Sequence, residues 1–370
     1  MRFWIVITNL QGGGAERSVL SIASGLVRRG HGVKLILLED RIDHTLPQGV
    51  EPLSISKSGR TISKGWIGKR AVAWRLRRWM QGQVTDEAPD LIISTLPFTD
   101  EIVRAAGLRG VWFRITNTLS AEIIGLKSIS ANKAKRRLAR YRYLYGGQNV
   151  IAVSRGVAED LRDRLGIRSA ETVTIYSPFD IEEIRRLAAA EDGTLPQEPY
   201  IVHAGRFVAQ KRHDLLLDAY AASKLPHRLV LLAKPTRRLR ALIAAKGLTD
   251  RVTIAGFVSN PYPWYAKASA LVLSSDFEGF PNVLVEALAC GTPVVSTDCP
   301  SGPREILTGP LRRYLSPCND AAALAENLVS VVESPPAIDR NIVSQFLHDA
   351  SLDAIEALAK RSPVFGNNAR

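Results

Sequence analysis

The chain alternates between short apolar runs rich in β-branched residues and longer segments with helical spacing. This alternation continues to about residue 178 and then starts again. The first set of apolar runs lies at residues 3–8, 33–38, 91–94, 111–115 and 150–153, and the second at 200–203, 228–233, 252–254, 270–274 and 293–296. Such alternation is typical of a parallel sheet covered by helices. The sequence therefore predicts the α/β class, with two Rossmann-like, doubly wound parallel-sheet domains.

A turn-forming segment at residues 176–180 (YSPFD) separates the two sets of elements. We expect an amino-terminal domain at residues 1–178 and a carboxy-terminal domain at residues 179–340. Ligands bind such sheets at the carboxyl ends of their strands, so the two crevices are expected to face each other across a cleft. A helical segment at about 340–361 is expected to pack back onto the first domain.

The composition and the cysteine pattern indicate the cellular compartment of the protein. The 370 residues are 46% apolar, but no run approaches the roughly 18 apolar residues of a membrane-spanning helix. The first ten residues do not resemble a secretory signal. The three cysteines, Cys290, Cys299 and Cys318, form no C-x-x-C pair. These features predict a cytoplasmic protein without a disulfide framework or a structural zinc site.

The net charge of +13 is concentrated in one half of the chain. Residues 1–178 contain 28 Lys and Arg against 15 Asp and Glu, whereas the remainder contains 21 of each. An excess confined to one half indicates that this half meets an anionic partner. Nucleic acid, an anionic membrane and a phosphate-bearing substrate all satisfy that requirement.

A glycine loop at residues 12–14 separates the first predicted strand from a helix that opens near Ala15. Glycines allow close backbone approach, and a helix amino terminus attracts phosphate. The alternative is a tight turn that only packs helix on strand. A dinucleotide site is a further alternative, since Glu39 and Asp40 follow the second strand, although Arg17 occupies the position of the third fingerprint glycine.

Two cations follow the first strand of the second half, Arg206 and Lys211. A planar guanidinium and a compact ammonium together suit a diphosphate. The simpler interpretation is a solvated pair of charges at a helix start. His203, at the end of the same strand, is interpreted equally well as a buried core residue.

The segment from Asp276 to Val295 is the most specific pattern in the chain. It places Glu278 on a Gly/Pro loop after a strand and Glu286 inside a helix that runs from about Asn282 to Gly291. The helix amino terminus offers N–H donors to an anion, and the two carboxylates can accept hydrogen bonds from sugar hydroxyls.

Together these motifs resemble the retaining family 4 glycosyltransferases of the GT-B fold, of the type that acts on lipid-linked saccharides. The resemblance rests on the E-x7-E spacing, the G-F-P-N loop, E-A-L-A-C-G-T-P-V-V-S-T-D, S-G-P-R-E-I, A-G-R-F…K and the amino-terminal G-G-G-A-E. It implies that the carboxy-terminal domain holds a nucleotide-sugar and that the amino-terminal domain receives the acceptor.

The resemblance also implies roles for individual residues. Arg206 and Lys211 would grip the donor diphosphate, and Glu278 would contact the transferred sugar, making these three the catalytic group. The implied donor-binding residues are Gly13, Gly14, Arg206, Lys211, Glu278, Gly279, Phe280, Pro281, Asn282, Val283, Leu284 and Glu286, with Glu286 accepting from the ribose.

The implied reaction is front-side displacement with retention at the anomeric carbon, with the nucleotide diphosphate helping to deprotonate the acceptor. No metal or other cofactor is implied, because the chain lacks a D-x-D motif and supplies its own cations. We expect a UDP-N-acetylhexosamine or UDP-hexose as donor. Many relatives carry a histidine where this chain has the Arg-x-x-Asn pattern of Arg114 and Asn117, so either residue is a candidate contact with acceptor or sugar.

The excess charge indicates the class of acceptor. On a helical wheel Lys133, Arg136, Arg137 and Arg140 form one stripe, and apolar residues form another. Residues 64–80 add six Lys and Arg interleaved with three tryptophans, the composition of an interfacial membrane contact. We therefore expect these four cations to bind an anionic membrane surface or the diphosphate of a lipid-linked saccharide.

The predicted enzyme is thus cytoplasmic and peripheral on the inner face of the cell membrane, in polysaccharide or glycan biosynthesis. Nucleic acid is not expected as a partner, because none of the usual reading modules is present. Two alternatives remain open at this point: an NAD(P)-dependent oxidoreductase, and a non-catalytic nucleotide-sugar-binding protein.

Overall fold

A computed structural model describes residues 1–56, 61–63, 65–339 and 342–361, without the side chains of residues 84–87. Contacts divide these residues into two units. The amino-terminal unit comprises Met1–Pro178 and the last described helix, and the carboxy-terminal unit comprises Phe179–Leu347.

The amino-terminal unit is built on a seven-stranded sheet whose strands pair in parallel in the order β3-β2-β1-β4-β5-β6-β7. Its strands are β1 (Arg2–Ile7), β2 (Gly32–Leu37), β3 (Glu51–Ser54), β4 (Leu91–Thr95), β5 (Val111–Ile115), β6 (Asn149–Ala152) and β7 (Glu171–Thr174). Its helices are α1 (Gly14–Arg28), α2 (Trp66–Glu87), α3 (Pro97–Ala105), α4 (Leu119–Ile129), α5 (Ala131–Tyr145) and α6 (Arg155–Glu159), which continues as a π-helical turn at Asp160–Arg164.

The carboxy-terminal unit repeats this plan with six parallel strands in the order β10-β9-β8-β11-β12-β13. Its strands are β8 (Tyr200–Ala204), β9 (Arg228–Leu232), β10 (Val252–Ile254), β11 (Ala270–Leu273), β12 (Val294–Thr297) and β13 (Leu315–Ser316). Its helices are α7 (Ile181–Ala188), α8 (His213–Ser223), α9 (Arg237–Ala245), α10 (Tyr262–Ala266), α11 (Asn282–Ala289), α12 (Pro303–Ile306) and α13 (Ala321–Glu333), with 3-10 turns at Ala209–Lys211, Gly309–Tyr314 and Ser344–Phe346.

The central strands are buried on both faces, which explains their continuous apolar sequences. All five residues from Phe3 to Ile7 in β1 are buried, as are all five of β8 and all four of β11. The predicted α/β class and the doubly wound parallel sheets are therefore confirmed.

Three strands were not predicted, namely β3, β7 and β13. All three lie at sheet edges and are only two to four residues long. Successive side chains of a strand point to opposite faces of the sheet, and one face of β7 is open to solvent, so β7 alternates half-buried and exposed residues and carries no apolar run.

One predicted helix boundary was wrong. Helix α8 begins at His213, because Arg212 has a left-handed φ of 45° that ends the preceding 3-10 turn. The helix expected at about 340–361 is α14 (His348–Arg361), and residues 340 and 341 lie outside the described ranges.

Helix α14 packs against α1 in the amino-terminal unit. Its Leu352, Ile355 and Leu358 join the core cluster of that unit. At its start, His348 Nε2 lies 3.0 Å from the carbonyl oxygen of Ser21. Arg29 forms ion pairs with three acids of α14: Asp349, Asp353 and Glu356.

Gly25 of α1 lies against α14, since a Cβ there would lie 2.0 Å from His348 Cε1. Gly25→Ala should lower the free energy of unfolding by about 1–3 kcal/mol through overpacking. Gly82→Ala in α2 is the matched control: its Cβ would meet nothing within 4 Å, so helix propensity should raise stability by up to about 1 kcal/mol. Urea unfolding measures both, and equal effects would contradict this packing.

Candidate active site

Two loops of the carboxy-terminal unit leave the carboxyl ends of neighbouring strands. Strands β8 and β11 pair in parallel, with Ile201 opposite Ala270 and Val202 opposite Leu271. The loop at 205–212 follows β8, and the loop at 274–281 follows β11. The sheet therefore brings the predicted cations and the predicted carboxylate Glu278 to one edge.

Lys211 and Glu278 form an ion pair in which Nζ lies 2.6 Å from Oε1. Their side chains are only 17% and 9% exposed. Gly205 leaves room for the lysine stem, because a Cβ at Gly205 would lie 3.3 Å from Lys211 Cδ. Two residues predicted separately to touch the donor are thus direct neighbours.

Arg206, on the same loop, is exposed. Within the described ranges it has no ion-pair partner, in contrast to Lys211. A guanidinium held on a fixed loop with its donors directed to solvent is suited to an anionic ligand.

Helix α11 begins at Asn282, directly after the loop that carries Glu278. The Glu278 backbone N–H donates to Pro300 O at 3.1 Å, and Gly302, at a φ of 107°, passes so close to Pro281 that a Cβ would lie 2.4 Å from its Cδ. The segment after β12 therefore holds this loop and the start of α11 in place.

The side chains around the start of α11 fall into two groups. Phe280 is buried against Phe179 and Phe346, with ring centroids 6.2 and 5.1 Å away, and Leu284 is fully buried. For these two residues only the backbone can meet a ligand. Asn282 and Val283 are half-buried.

Gly279, Pro281 and Glu286 are buried. Glu286 is the fifth residue of α11. Burial of the nearby Cys290 thiol raises its pKa to about 12, and the negative charge of Glu286 contributes to that rise.

His203 in β8 and His213 at the start of α8 contact each other, and only His203 was considered in the sequence analysis. His203 Nδ1 lies 2.9 Å from Val272 O, and the His203 and His213 rings meet edge to face at 4.8 Å. Burial lowers the pKa of His203 well below its usual value and that of His213 to about 4. Both imidazoles are therefore neutral at pH 7 and add no positive charge to that of Arg206 and Lys211.

The glycine loop of the amino-terminal unit opens α1, with Gly13 as the N-cap and Gly14 as the first helical residue. The Glu16 carboxylate folds over Gly13, since a Cβ there would lie 2.3 Å from Glu16 Oε2. Glu39, the carboxylate of the dinucleotide alternative, is buried and accepts from Asn9 Nδ2 at 2.9 Å and from Ile62 N at 2.8 Å. Both carboxylate oxygens of Glu39 therefore accept hydrogen bonds from within the protein.

Arg114 and Asn117 occupy different environments. Arg114 is 2% exposed, and its Nη2 donates to Ser18 Oγ at 2.7 Å and to Ser177 Oγ at 3.1 Å. Burial lowers the pKa of this guanidinium to about 10. Asn117 is half-buried and accepts from Thr118 N at 3.0 Å. Asn117 is therefore the more accessible of the two.

The basic stripe of α5 is divided. Lys133 and Arg136 are exposed, whereas Arg137 pairs with Glu122 and Arg140 with Glu101. The predicted apolar stripe is buried at Ala134, Tyr141 and Tyr145.

In α2, Trp66 is 71% and Trp74 59% exposed, with Arg70 and Arg78 over their rings. Trp79 instead packs against Trp4 at 5.1 Å, and Lys64 lies outside the described residues. The part of the chain that the structure describes contains no helix long and apolar enough to cross a membrane and no group of three potential metal-binding side chains.

Solved structures share this architecture over nearly the whole chain. Sucrose-phosphate synthase from Thermosynechococcus elongatus matches with a TM-score of 0.76 at 18% identity, covering 97% of this chain and 98% of that one. HepE of Anabaena, solved in complex with UDP-glucose, matches with a TM-score of 0.66 at 20% identity, covering 98% and 96%. The fold is that of the GT-B glycosyltransferases.

Sequence comparisons identify the family. The model "Glycosyltransferase Family 4" matches residues 12–183, and "Glycosyl transferases group 1" matches residues 198–334. A relative from Campylobacter jejuni, N-acetylgalactosamine-N,N'-diacetylbacillosaminyl-diphospho-undecaprenol 4-alpha-N-acetylgalactosaminyltransferase, is 30% identical and covers 82% of each chain. The lipopolysaccharide 1,6-galactosyltransferase of Escherichia coli is 28% identical over 57% of this chain and 62% of its own length.

The chain belongs to glycosyltransferase family 4 and is a glycosyltransferase. This assignment confirms the resemblance seen in the motifs. It replaces the oxidoreductase and the non-catalytic alternatives.

The buried ion pair generates a stability prediction. Lys211→Ala should lower the free energy of unfolding of the carboxy-terminal unit by about 3 kcal/mol, because it leaves Glu278 buried without its cation. Adding Glu278→Gln should restore most of the loss, since a neutral amide has no charge to bury. Hydrogen–deuterium exchange of α8 and α11 in urea measures both variants.

Lys246→Ala is the control for this experiment. It removes a more exposed ion pair with Asp218 in the same unit and should cost less than about 1 kcal/mol. Equal losses in the single and double variants at Lys211 would contradict a coupled pair.

Proposed function

We propose that this glycosyltransferase moves a sugar, with retention, from a uridine diphosphate donor to a lipid-linked saccharide at the cytoplasmic face of the membrane. The transferred sugar is an N-acetylhexosamine or a hexose, and the product enters polysaccharide or glycan biosynthesis. The observation that carries the proposal is the Lys211–Glu278 pair beside the exposed Arg206, at the edge shared by β8 and β11.

The charges at this edge suit a departing diphosphate. Negative charge develops on the leaving phosphate as the glycosidic bond breaks, and fixed cations in a partly dry site stabilise it. Arg206 offers a free guanidinium, and Lys211 can share its three N–H donors between the phosphate and Glu278. Glu278 then lies one side chain away from the phosphate, where the transferred sugar is attached.

Retention follows if the acceptor oxygen attacks the face that the diphosphate leaves. The bond between the anomeric carbon and the phosphate oxygen breaks through an oxocarbenium-like state, and the acceptor oxygen bonds to the same face. The leaving phosphate oxygen takes the acceptor's proton, so no protein base is required. Glu278 and Glu286 are therefore not the acid and nucleophile of a glycosidase.

The reaction is proposed to need no metal, because Arg206, Lys211 and the start of α11 supply the positive charge. Glu286 is proposed to accept from the ribose, and Gly13 and Gly14 to approach the diphosphate. Asn117, being more accessible than Arg114, is the favoured contact with sugar or acceptor.

The names of relatives support the donor and acceptor classes. The Campylobacter jejuni relative is named for an undecaprenol diphosphate acceptor and for N-acetylgalactosamine transfer. HepE was solved with UDP-glucose. A lipid-bound diphosphate acceptor also agrees with a net charge of +13 concentrated in residues 1–178.

Exposed apolar residues beside cations support the membrane surface. Helix α2 presents Trp66, Ile67 and Trp74 to solvent, and α4 presents Ile124 and Ile129. Arginines lie over the rings of Trp66 and Trp74, and Lys133 and Arg136 are exposed on α5, which packs against α4. Tryptophan and cations together are suited to the headgroup region of an anionic bilayer.

Transfer from a panel of UDP-, GDP- and ADP-sugars to a bacterial lipid extract tests the activity. Arg206→Ala should lower kcat by roughly 100-fold to 1,000-fold, since it removes one fixed donor to the developing charge. Arg186→Ala, which removes an exposed arginine paired with Glu183 in the same unit, should leave kcat unchanged. EDTA should have no effect, and NMR should show the donor's anomeric configuration in the product.

Three results would each refute the proposal: unchanged kcat in Arg206→Ala, inversion at the anomeric carbon, or failure of the wild type to bind any nucleoside diphosphate.

Liposome co-sedimentation tests the membrane surface. Binding should rise with the fraction of anionic lipid and fall with salt. The Trp66→Ala/Trp74→Ala variant should bind several-fold more weakly, whereas Phe257→Ala, which removes an exposed aromatic of the other unit, should bind like the wild type. Binding that ignores lipid charge and salt would refute a membrane role.

A further inference from the structure

Three hydrogen bonds join the two site loops beside the Lys211–Glu278 pair. Ser274 Oγ donates to Lys211 O at 2.8 Å, and Asp276 N donates to Gln210 O at 2.9 Å. Gln210 Nε2 donates to Phe277 O at 2.7 Å. The backbone of the loop after β8 is therefore fixed to that of the loop after β11.

A second ion pair lies next to the first. Arg212 Nη1 lies 2.8 Å from Asp276 Oδ1, while the preceding lysine reaches Glu278. The same guanidinium contacts both carboxylate oxygens of Asp214 and the side-chain amide oxygen of Asn319. Two consecutive cations thus meet two carboxylates that are separated by one residue.

Arg212 adopts this position in an unfavourable backbone conformation. Its φ of 45° and ψ of 53° are left-handed, which costs energy for a residue with a Cβ. Glycine would adopt the same turn more easily. The arginine side chain must therefore contribute something that compensates for the backbone cost, and its carboxylate contacts are what it provides.

The contacts indicate what that contribution is. Asp276 is 37% exposed, whereas Glu278 is 9% exposed. The Lys211 ammonium would lose less hydration beside the more exposed Asp276 than beside Glu278. An Asp276 carboxylate without Arg212 would therefore compete with Glu278 for this ammonium. Because Arg212 forms an ion pair with Asp276, Lys211 remains beside Glu278.

We propose that Arg212 is a positioning residue of the donor site: it holds Asp276 so that Lys211 stays paired with Glu278, ready for the donor diphosphate. This inference rests on the proposed function of Lys211. It assigns no contact between Arg212 and the donor.

The experiment compares Arg212→Gly with a matched variant at the other end of the same helix. Lys224 is also left-handed, with a φ of 53°, and is exposed at the C-cap of α8. Lys224→Gly relieves the same kind of strain and removes the same charge. Lys224→Gly should melt at or above the wild-type temperature, because glycine suits its backbone. Arg212→Gly gains the same backbone benefit but leaves Glu278 without Lys211, so it should melt below Lys224→Gly.

The activity readout separates positioning from folding. Arg212→Gly should lower kcat at least tenfold on the nucleotide-sugar that the wild type turns over, and Lys224→Gly should not change it. Adding Asp276→Asn to Arg212→Gly removes the competing carboxylate and should recover kcat several-fold. A purely structural role for Arg212 predicts no such recovery.

A second readout does not depend on activity. The rate of acetylation of Lys211 by acetic anhydride, followed by mass spectrometry, should rise at least threefold in Arg212→Gly and return towards the wild-type rate in the double variant. A wild-type Lys211 rate in Arg212→Gly, or a double variant no different from the single one, would overturn the inference. An inactive wild type would refute the proposed function, while the acetylation rates would still decide the role of Arg212.

Discussion

The parallel pairing of β8 with β11 is the constraint on which the site depends. Parallel strands end at a common edge, so Lys211 and Glu278, which are 67 positions apart in the chain, arrive side by side without any local sequence relation. The buried sheet fixes that edge, and Gly205 leaves space for the lysine stem. An ion pair of 17% and 9% exposed side chains then persists because each charge compensates the other where water is scarce.

Much of the fold could be predicted, because strands buried on both faces need continuous apolar runs and leave a clear pattern, as in residues 3–8 and 111–115. The edge strands β3, β7 and β13 were not predicted. Strand β7, for example, alternates half-buried Glu171 and Val173 with exposed Thr172 and Thr174, so it carries no continuous apolar run. The start of α8 at His213 also has no clear sequence signal. The residue types around Arg212 do not predict its left-handed conformation, because that conformation is accompanied by an ion pair with Asp276 on the loop after β11.

For the candidate site, motif spacing predicted the neighbourhood of Arg206, Lys211 and Glu278, but not that the lysine and glutamate pair directly. The basic helix shows the same limit. A helical wheel places four cations on one stripe, yet it cannot show that α4 and α3 supply Glu122 and Glu101 to two of them. Periodicity describes one helix at a time, whereas the available charge on its surface is decided by its neighbours.

Helix α14 completes the amino-terminal unit only after the carboxy-terminal unit has been synthesised. Its apolar face belongs to the core formed with α1, but the whole of Phe179–Leu347 is translated between them. At ordinary translation rates the nascent amino-terminal core waits on the order of ten to thirty seconds for its last helix. The inserted unit can complete its own sheet during that interval. Nascent chains stalled before residue 348 would therefore carry an uncovered apolar strip on α1, a natural binding site for a chaperone.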